Sequence, residues 1–254
     1  MATDISGAWH RYFSRSDNSE PLNERWREEA LKWIEWAKPD GQDHFFYEFN
    51  WPAFESLLPI QSRRCLDIGC GEGRTLAELA KSSTYVCGID YSFLLARTSH
   101  QRGFVTVCAN AESLPFAHRV FDCVVAFMVP HDIDDIVALF AEVERVLIPQ
   151  GVFCFAIIHP FTSATINQKN DSSAGYWQEL PYVEHATLQE MTMDFHSFHR
   201  PLERYCCALA DAGFIIEQIR EPIPDHDYIE RHPEAKDLTQ FPLYLHIRAK
   251  LGCV

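Results

Sequence analysis

The stretch "RCLDIGCGEGR", residues 64–74, decides the fold class. Its glycines at alternate positions, Gly69, Gly71 and Gly73, follow a short apolar run that contains Asp67. Glycine adopts positive φ without strain and lets ligand atoms approach the backbone, so glycines behind a strand are typical of a nucleotide-binding turn. A helix predicted to begin near Arg74 would direct its free N–H groups and positive dipole end to the same place.

The glycine spacing narrows the kind of nucleotide. A dinucleotide fingerprint needs G-x-G-x-x-G, and Arg74 stands where the third glycine is required. The next predicted strand ends in Asp90, and an acid at that point can accept hydrogen bonds from both hydroxyls of a ribose. These residues favour a nucleoside ligand without a pyrophosphate and disfavour a nicotinamide oxidoreductase. Glu72, inside the turn, is expected to be a solvated loop charge.

Outward from this turn, apolar strand-like runs alternate with amphipathic helix-like runs. The segments "RRCLDIG", "YVCGIDYS", "FVTVCAN", "FDCVVAFMV" and "VFCFAIIHP" are strand-like, and the segments between them have helical spacing. Because the strands are apolar on both faces, they favour a parallel sheet covered by helices on both sides.

The flanking regions predict one elaborated α/β domain spanning residues 1–254. Residues 1–60 are interpreted as a helical cap and residues 61–160 as the cofactor-binding core. Residues 161–200, polar and aromatic without clear periodicity, are interpreted as a lid or a disordered insertion. The pattern of residues 201–254 predicts a helix and strands that complete the domain, with a polar loop before the last strand.

Five segments in order resemble one known family. "LDIGCGEG", "GIDYS", "ANAESLPF", "FDCVVAFMVPHDIDD" and "EVERVLIPQGVFCFAIIHPF" are similar to the core of class I S-adenosylmethionine-dependent methyltransferases, over roughly residues 60–160. The resemblance implies a Rossmann-like, doubly wound α/β fold. Its sheet would have seven mostly parallel strands with an antiparallel last strand. The resemblance also implies S-adenosyl-L-methionine as cofactor.

The resemblance also implies roles for individual residues. Asp67 and Gly69 would line the methionine moiety, while Gly71 and Gly73 shape the loop. Asp90 would hold the ribose hydroxyls. The remaining cofactor contacts would be Tyr91, packed on the adenine, Asn110, Ala111 and Glu112 beside it, and Met128 near the methionine end.

Catalytic residues are harder to predict, because methyl transfer needs mainly proximity, orientation and exclusion of water. A general base is required only where the acceptor must lose a proton. His159, at the end of a strand, is the candidate base, with a structural histidine as the alternative. The candidate acceptor contacts are Tyr47, His131, Tyr176, His199 and Arg200, and each has an alternative role in packing, helix capping or ion pairing.

Composition limits the partners. The chain has 254 residues and a formal net charge of −14, which disfavours nucleic acid and anionic membranes. No run approaches a membrane span, and the first residues lack a signal peptide, so we expect a cytoplasmic monomer or homodimer. Nine scattered cysteines indicate buried reduced thiols, and no spacing typical of a metal site is present.

These observations predict an S-adenosylmethionine-dependent methyltransferase acting on an O, N or C atom of a small-molecule acceptor, in secondary metabolism by analogy. Two alternatives stay open at this point. One is an enzyme that uses the same cofactor for another reaction, such as a cyclisation. The other is a non-catalytic cofactor-binding partner protein.

Overall fold

The computed structural model describes residues 20–38, 43–170, 172–188 and 191–252, and residues 9–15 by their backbone. The strands are β1 (Trp9–Arg15), β2 (Ser62–Ile68), β3 (Ser83–Asp90), β4 (Val105–Cys108), β5 (Phe121–Phe127), β6 (Leu147–Ile158), β7 (Leu180–Leu188), β8 (Met191–His199), β9 (Phe214–Arg220) and β10 (Tyr244–Leu251). The α-helices are α1 (Leu22–Trp36), α2 (Trp51–Glu55), α3 (Arg74–Leu79), α4 (Phe93–Gln101), α5 (Ile136–Val146), α6 (Pro160–Asn170), α7 (Leu202–Asp211) and α8 (His226–Arg231). A π-helix, Phe45–Asn50, and 3-10 helices, Pro130–Asp132 and Pro233–Thr239, complete the described elements.

The large sheet has the strand order β4-β3-β2-β5-β6-β10-β9. Strands β2 to β6 pair in parallel, whereas β10 is antiparallel to both of its neighbours. This arrangement confirms the predicted fold class, including the antiparallel last strand. The strand order reverses between β2 and β5, and Gly69 follows directly at the carboxyl end of β2. The glycine turn therefore lies at the switch point, where open parallel sheets bind ligands.

Two apolar layers cover the sheet. On one face, Leu139, Phe140 and Val143 of α5 are fully buried in the larger core cluster. On the other face, Phe46 and Phe54 pack with strand residues in a second cluster. Part of the predicted N-terminal cap is thus a structural layer of the core.

Local sequence signals place the ends of the helices. The Ser92 hydroxyl caps α4 by accepting from the N–H of Leu95. The Asp135 carboxylate caps α5 by accepting from the N–H groups of Val137 and Ala138. Such caps satisfy N–H groups that have no partner within the helix.

A second sheet joins the two flanking regions. It has the order β1-β7-β8, and both of its pairings are antiparallel. The prediction of a helical cap was wrong at Trp9–Arg15, which is a strand. The described part of residues 161–200 contains helix α6 and the β7–β8 hairpin, and it is therefore not a disordered insertion. The hairpin rests on α1 through Trp36, Ala186 and Met193. Side chains from distant parts of the chain build this contact, so local periodicity did not indicate it.

The C-terminal region follows the prediction at α7, β9 and β10. The predicted polar loop instead contains α8 and the 3-10 helix Pro233–Thr239. These short helices bury few side chains, among them Tyr228 and Ala235, so their apolar pattern is weak. Among the described residues, no helix combines the length and apolarity that crossing a membrane requires.

Candidate functional site

The glycine turn after β2 has a backbone that side chains would disturb. Gly69 has φ 67° and Gly71 has φ 55°, both in the left-handed region that favours glycine. A Cβ atom at Gly69 would lie 2.5 Å from Cγ2 of Val129. The turn therefore presents bare backbone at the sheet edge, as a close-fitting ligand requires.

An open cavity of about 980 Å³ lies against this turn. Residues of α1, including Asn23, Trp26 and Trp33, line it from the other side. Eight of the ten predicted cofactor residues line it: Gly69, Gly71, Asp90, Tyr91, Asn110, Ala111, Glu112 and Met128. The other two, Asp67 and Gly73, are outside the lining. This placement is compatible with the predicted cofactor roles, which stay predictions.

Asp90 has the capacity that a ribose would need. Its Oδ2 accepts from the N–H of Gly71 at 2.9 Å, and its Oδ1 accepts from the N–H of Ser92 at 2.8 Å. A carboxylate has about four acceptor positions, so about two remain for a pair of hydroxyls. Burial raises the pKa of Asp90 to about 6, an effect that the two backbone hydrogen bonds oppose.

Asp67 lies at the end of β2 beneath the turn, and 1% of its surface is exposed. Its Oδ2 has no hydrogen-bond partner within the described part of the chain. Burial, with the nearby charges of Asp90 and Glu72, raises its pKa well above the ordinary value. A buried carboxyl oxygen without a hydrogen-bond partner is costly, so this position contributes less to stability than a satisfied one would.

Glu72 is not the solvated loop charge expected from the sequence. It is fully buried, and its Oε2 accepts from Nε1 of Trp33 at 2.8 Å. Arg102 approaches its Oε1 at 3.5 Å. Because α1 folds over the glycine turn, Glu72 joins the turn to the cap.

A second open cavity, of about 750 Å³, adjoins the first. The residues common to both linings are Trp26, Trp33, Arg74, Phe127, Met128 and Asp132. The further aromatic wall residues of the second cavity are Trp36, Phe45, Phe46, Phe195 and Tyr244. Met128 has φ 59° at the end of β5, an unusual backbone conformation for a side chain at the boundary between two cavities.

An ion pair lies in the wall of the second cavity. Nη1 of Arg74 is 2.6 Å from Oδ2 of Asp43. The Arg74 guanidinium also lies 4.1 Å from the ring centroid of Phe46 and 4.7 Å from that of Trp33. The residue that replaces the dinucleotide glycine thus connects the glycine turn to the cap.

His131 and Asp132 add polar groups to the same cavity. His131 is 5% exposed, and its Nδ1 has no hydrogen-bond partner among the described residues. Burial and the charge of Arg200 lower its pKa to about 3, so the imidazole is neutral at physiological pH. Oδ1 of Asp132 accepts from Oγ of Ser197 at 2.7 Å, and burial raises the pKa of Asp132 well above the ordinary value.

The structure does not bring His159 or Tyr47 into either cavity lining. Nε2 of His159 is 2.8 Å from Oε1 of Glu221, and its Nδ1 accepts from the N–H of Phe161 at 3.1 Å. Both ring nitrogens therefore serve local structure. Tyr47 packs at the edge of the second apolar layer.

Tyr176, His199 and Arg200 also lie outside both linings, in supporting positions. His199 is fully buried between Oγ of Ser163 and the carbonyl oxygen of Tyr176. The Tyr176 hydroxyl accepts from the first N–H of α7 at 3.0 Å. Arg200 donates to the carbonyl oxygens of Ile133 and Asp134, and so supports the loop after β5. Of the predicted acceptor residues, His131 lines the second cavity.

Sequence reasoning missed most of the second cavity. Phe195 and Ser197 line it from β8, a segment without a motif, and Asp132 lies within a family-like segment but was not among the predicted site residues. Trp26 and Trp33 carried a signal, because their seven-residue spacing places them on one face of α1. The region was interpreted as a helical cap, and neither tryptophan was named as a site residue, although both line the site.

One group outside the cavities has metal-ligand chemistry that the sequence search did not indicate. His44, His232 and Glu234 each place one ligand atom within 4.8 Å of the others. The rings of His44 and His232 stack 3.8 Å apart and 3° from parallel. The nitrogen lone pairs of two stacked imidazole rings lie in parallel planes and do not converge on one point. This geometry therefore does not favour the binding of one metal ion by both histidines.

Comparison with known proteins agrees with this architecture. Residues 66–155 match the family model described as "Methyltransferase domain". The chain is 27% identical over 187 residues to the biotin biosynthesis bifunctional protein BioHC of Saccharophagus degradans, covering 71% of this chain and 32% of that protein. It is 34% identical over 118 residues to the malonyl-[acyl-carrier protein] O-methyltransferase of Legionella pneumophila, covering 43% of this chain and 42% of that protein.

The matched regions therefore span less than half the length of these curated relatives. Among solved structures, a putative S-adenosylmethionine-dependent methyltransferase from Listeria monocytogenes superposes with a TM-score of 0.67 at 21% identity. That superposition covers 80% of this chain and 97% of the other, and it shows a shared fold.

Proposed function

We propose that this protein methylates a small-molecule acceptor with S-adenosylmethionine. The match of residues 66–155 to the family model described as "Methyltransferase domain" supports this proposal, and so does the fold shared with a methyltransferase structure. The observation that carries the proposal is the pair of adjoining cavities, one at the glycine turn and one walled by α1, β8 and the segment before α2. When bound, S-adenosylmethionine supplies a methyl group already activated on a sulfonium centre.

The residues of the first cavity would hold the cofactor. The free acceptor capacity of Asp90 suits the ribose hydroxyls. Asp67 lies beneath the glycine turn and outside the lining, so it would act through the shape and charge of the turn. Tyr91 and Asn110 line the cavity at positions suited to the adenine. These groups bind and orient, which is the main contribution an enzyme makes to this kind of transfer.

The second cavity would hold the acceptor. Its largely aromatic walls would help to exclude water once both ligands are bound, and six residues line both cavities, so an acceptor there would adjoin the cofactor. We assign acceptor contact to His131, whose neutral imidazole can form a hydrogen bond through Nδ1. The enclosure by α1 and the hairpin supports a small acceptor rather than a macromolecule.

The protein would work in a reducing compartment such as the cytoplasm. Five cysteines, Cys65, Cys70, Cys87, Cys123 and Cys154, are buried free thiols, as is usual where disulfides do not form. The net charge of −14 supports an acceptor other than nucleic acid.

The test combines binding with transfer. Isothermal calorimetry should show one S-adenosylhomocysteine bound per chain. Incubation with methyl-labelled S-adenosylmethionine and fractionated cell extract should place label in the small-molecule fraction. Label confined to protein or RNA would contradict the acceptor assignment, and absence of cofactor binding would contradict the proposed function itself.

His131 and His159 provide a matched pair of variants. His131→Gln should lower transfer while leaving S-adenosylhomocysteine affinity near wild type, because His131 lines the second cavity and not the first. His159→Gln should change transfer less, because His159 lies outside both linings. The reverse order would restore His159 as the candidate base.

A further inference from the structure

The second cavity combines two features that suit a positively charged ligand. Its walls are largely aromatic, and aromatic faces attract cations through their quadrupole. Its described lining also contains three carboxyl groups, those of Asp43, Asp132 and Glu184, against one guanidinium, that of Arg74, and the neutral imidazole of His131.

Arg74 shows that these walls already accept a cation. Its guanidinium lies over the rings of Phe46 and Trp33, and its charge is paired with Asp43. This pair uses the one guanidinium in the described lining. Oδ1 of Asp132 accepts from the neutral Ser197 hydroxyl and lies 3.5 Å from Nε2 of the neutral His131, and the charge of Arg200, which is outside the lining, also acts on it.

A neutral or anionic acceptor would fit these groups less well. An anion would meet Asp132 and Glu184 in a buried setting, where like charges are costly. An alcohol would gain hydrogen bonds from His131 or Asp132 but would make no use of the aromatic faces beyond burial.

We propose that the second cavity binds a small amine with an apolar body, its nitrogen placed between Asp132 and the aromatic walls. This inference rests on the proposed function and names the acceptor class of that same site. The amine nitrogen and Asp132 share one proton. When an N–H bond of the ammonium breaks, the nitrogen keeps the electron pair and the proton forms an O–H bond with the carboxylate.

That transfer gives the nitrogen the lone pair that a methyl acceptor needs. Burial, the main cause of the raised pKa of Asp132, moves its affinity for protons closer to that of an amine. Asp132 is thus suited both to attract the ammonium and to take its proton.

The test uses tryptophan fluorescence, because Trp26, Trp33 and Trp36 line the cavity. Benzylamine, benzyl alcohol and benzoate have one apolar body and differ in charge. The full-length protein is titrated with each, with and without saturating S-adenosylhomocysteine. Benzylamine should bind at least about tenfold more tightly than the other two probes.

Two variants sharpen the result. Asp132→Asn should weaken benzylamine binding about tenfold and leave benzyl alcohol near wild type. Asp194→Asn is the control, because Asp194 is a carboxylate of β8, which lines the cavity through Phe195 and Ser197, but is itself outside both linings. If Asp132→Asn does not fold by circular dichroism, Phe195→Leu serves instead, and it should lower the preference for benzylamine over benzyl alcohol.

Equal binding of the three probes, tighter binding of benzoate, or no binding at millimolar concentration would overturn the amine assignment. Calorimetry with S-adenosylhomocysteine keeps this outcome separate from the proposed function. Cofactor binding without amine preference would leave the methyltransferase proposal intact. Amine preference without cofactor binding would support the binding of amines in the second cavity and would contradict the methyltransferase proposal.

Discussion

The two cavities differ in how the chain builds them. In the first, the glycine turn and Asp90 lie at the ends of β2 and β3, within one short segment and the strand that follows, and residues of α1 and of the loop after β5 complete the lining. The second uses side chains from α1, the π-helix, the loop after β5 and β7 and β8. The comparison shows that the proposed cofactor cavity depends largely on a motif, whereas the proposed acceptor cavity depends on tertiary assembly.

The largest expected effect is at the glycine turn of the first cavity. Gly69→Ala would place a Cβ atom 2.5 Å from Val129 on a backbone with φ 67°. The combined strain and overpacking, about 3 kcal/mol, should weaken S-adenosylhomocysteine binding about hundredfold by calorimetry. Gly103→Ala is the control, since its φ is +96° but nothing lies within 4 Å. Equal affinities for the two variants would show that the turn does not shape the site.

Asp90 should come next in size. Asp90→Asn keeps one acceptor oxygen but turns an amide NH₂ toward one of the N–H groups of Gly71 and Ser92. We expect cofactor affinity to fall by about 2 kcal/mol, or about thirtyfold. Asp122→Asn is the matched control, because Asp122 also accepts two backbone N–H groups, from Arg63 and Arg64, outside both cavity linings. Unchanged binding in Asp90→Asn would remove the ribose assignment.

The pH dependence of S-adenosylhomocysteine binding should test the role of Asp90 in a second way. The pKa of Asp90 in the free protein is raised to about 6, so below pH 6 the carboxyl group is increasingly protonated. Because ribose hydroxyls are best accepted by the ionised form, affinity should be flat above pH 7. It should decline below pH 6 by up to about tenfold per unit. Calorimetry across this range on wild type and Asp90→Asn checks it, and an equal decline in the variant would assign the effect to another group.

The smallest expected effect concerns the junction between the cavities. Trp33→Phe keeps an aromatic wall but removes the indole N–H that Glu72 accepts at 2.8 Å. Losing this donor should cost about 1 kcal/mol, or about fivefold in cofactor affinity. Trp177→Phe, at a side chain that is 74% exposed, should leave affinity unchanged. An effect as large as that of Gly69→Ala would mean that α1 is part of the cofactor site rather than its cover.

Sequence reasoning reached the fold, and eight of its ten predicted cofactor residues line the first cavity. Parallel strands must be apolar on both faces, and glycines with positive φ leave a local mark. The second cavity left no such mark. Glu72 looked exposed until Trp33 was seen to cover it, and Arg200 looked like a substrate ligand until its bonds to Ile133 and Asp134 were known. The strand β1 and its pairing with β7 join segments about 170 residues apart, beyond the reach of periodicity.

The central claim is that cofactor and acceptor occupy adjoining cavities that meet at Met128. A crystal structure with S-adenosylhomocysteine tests it most directly. The account predicts the ribose hydroxyls on Asp90 and the sulfur atom facing Met128 and the second cavity. A sulfur atom directed to solvent, or a ligand bound away from the glycine turn, would contradict it.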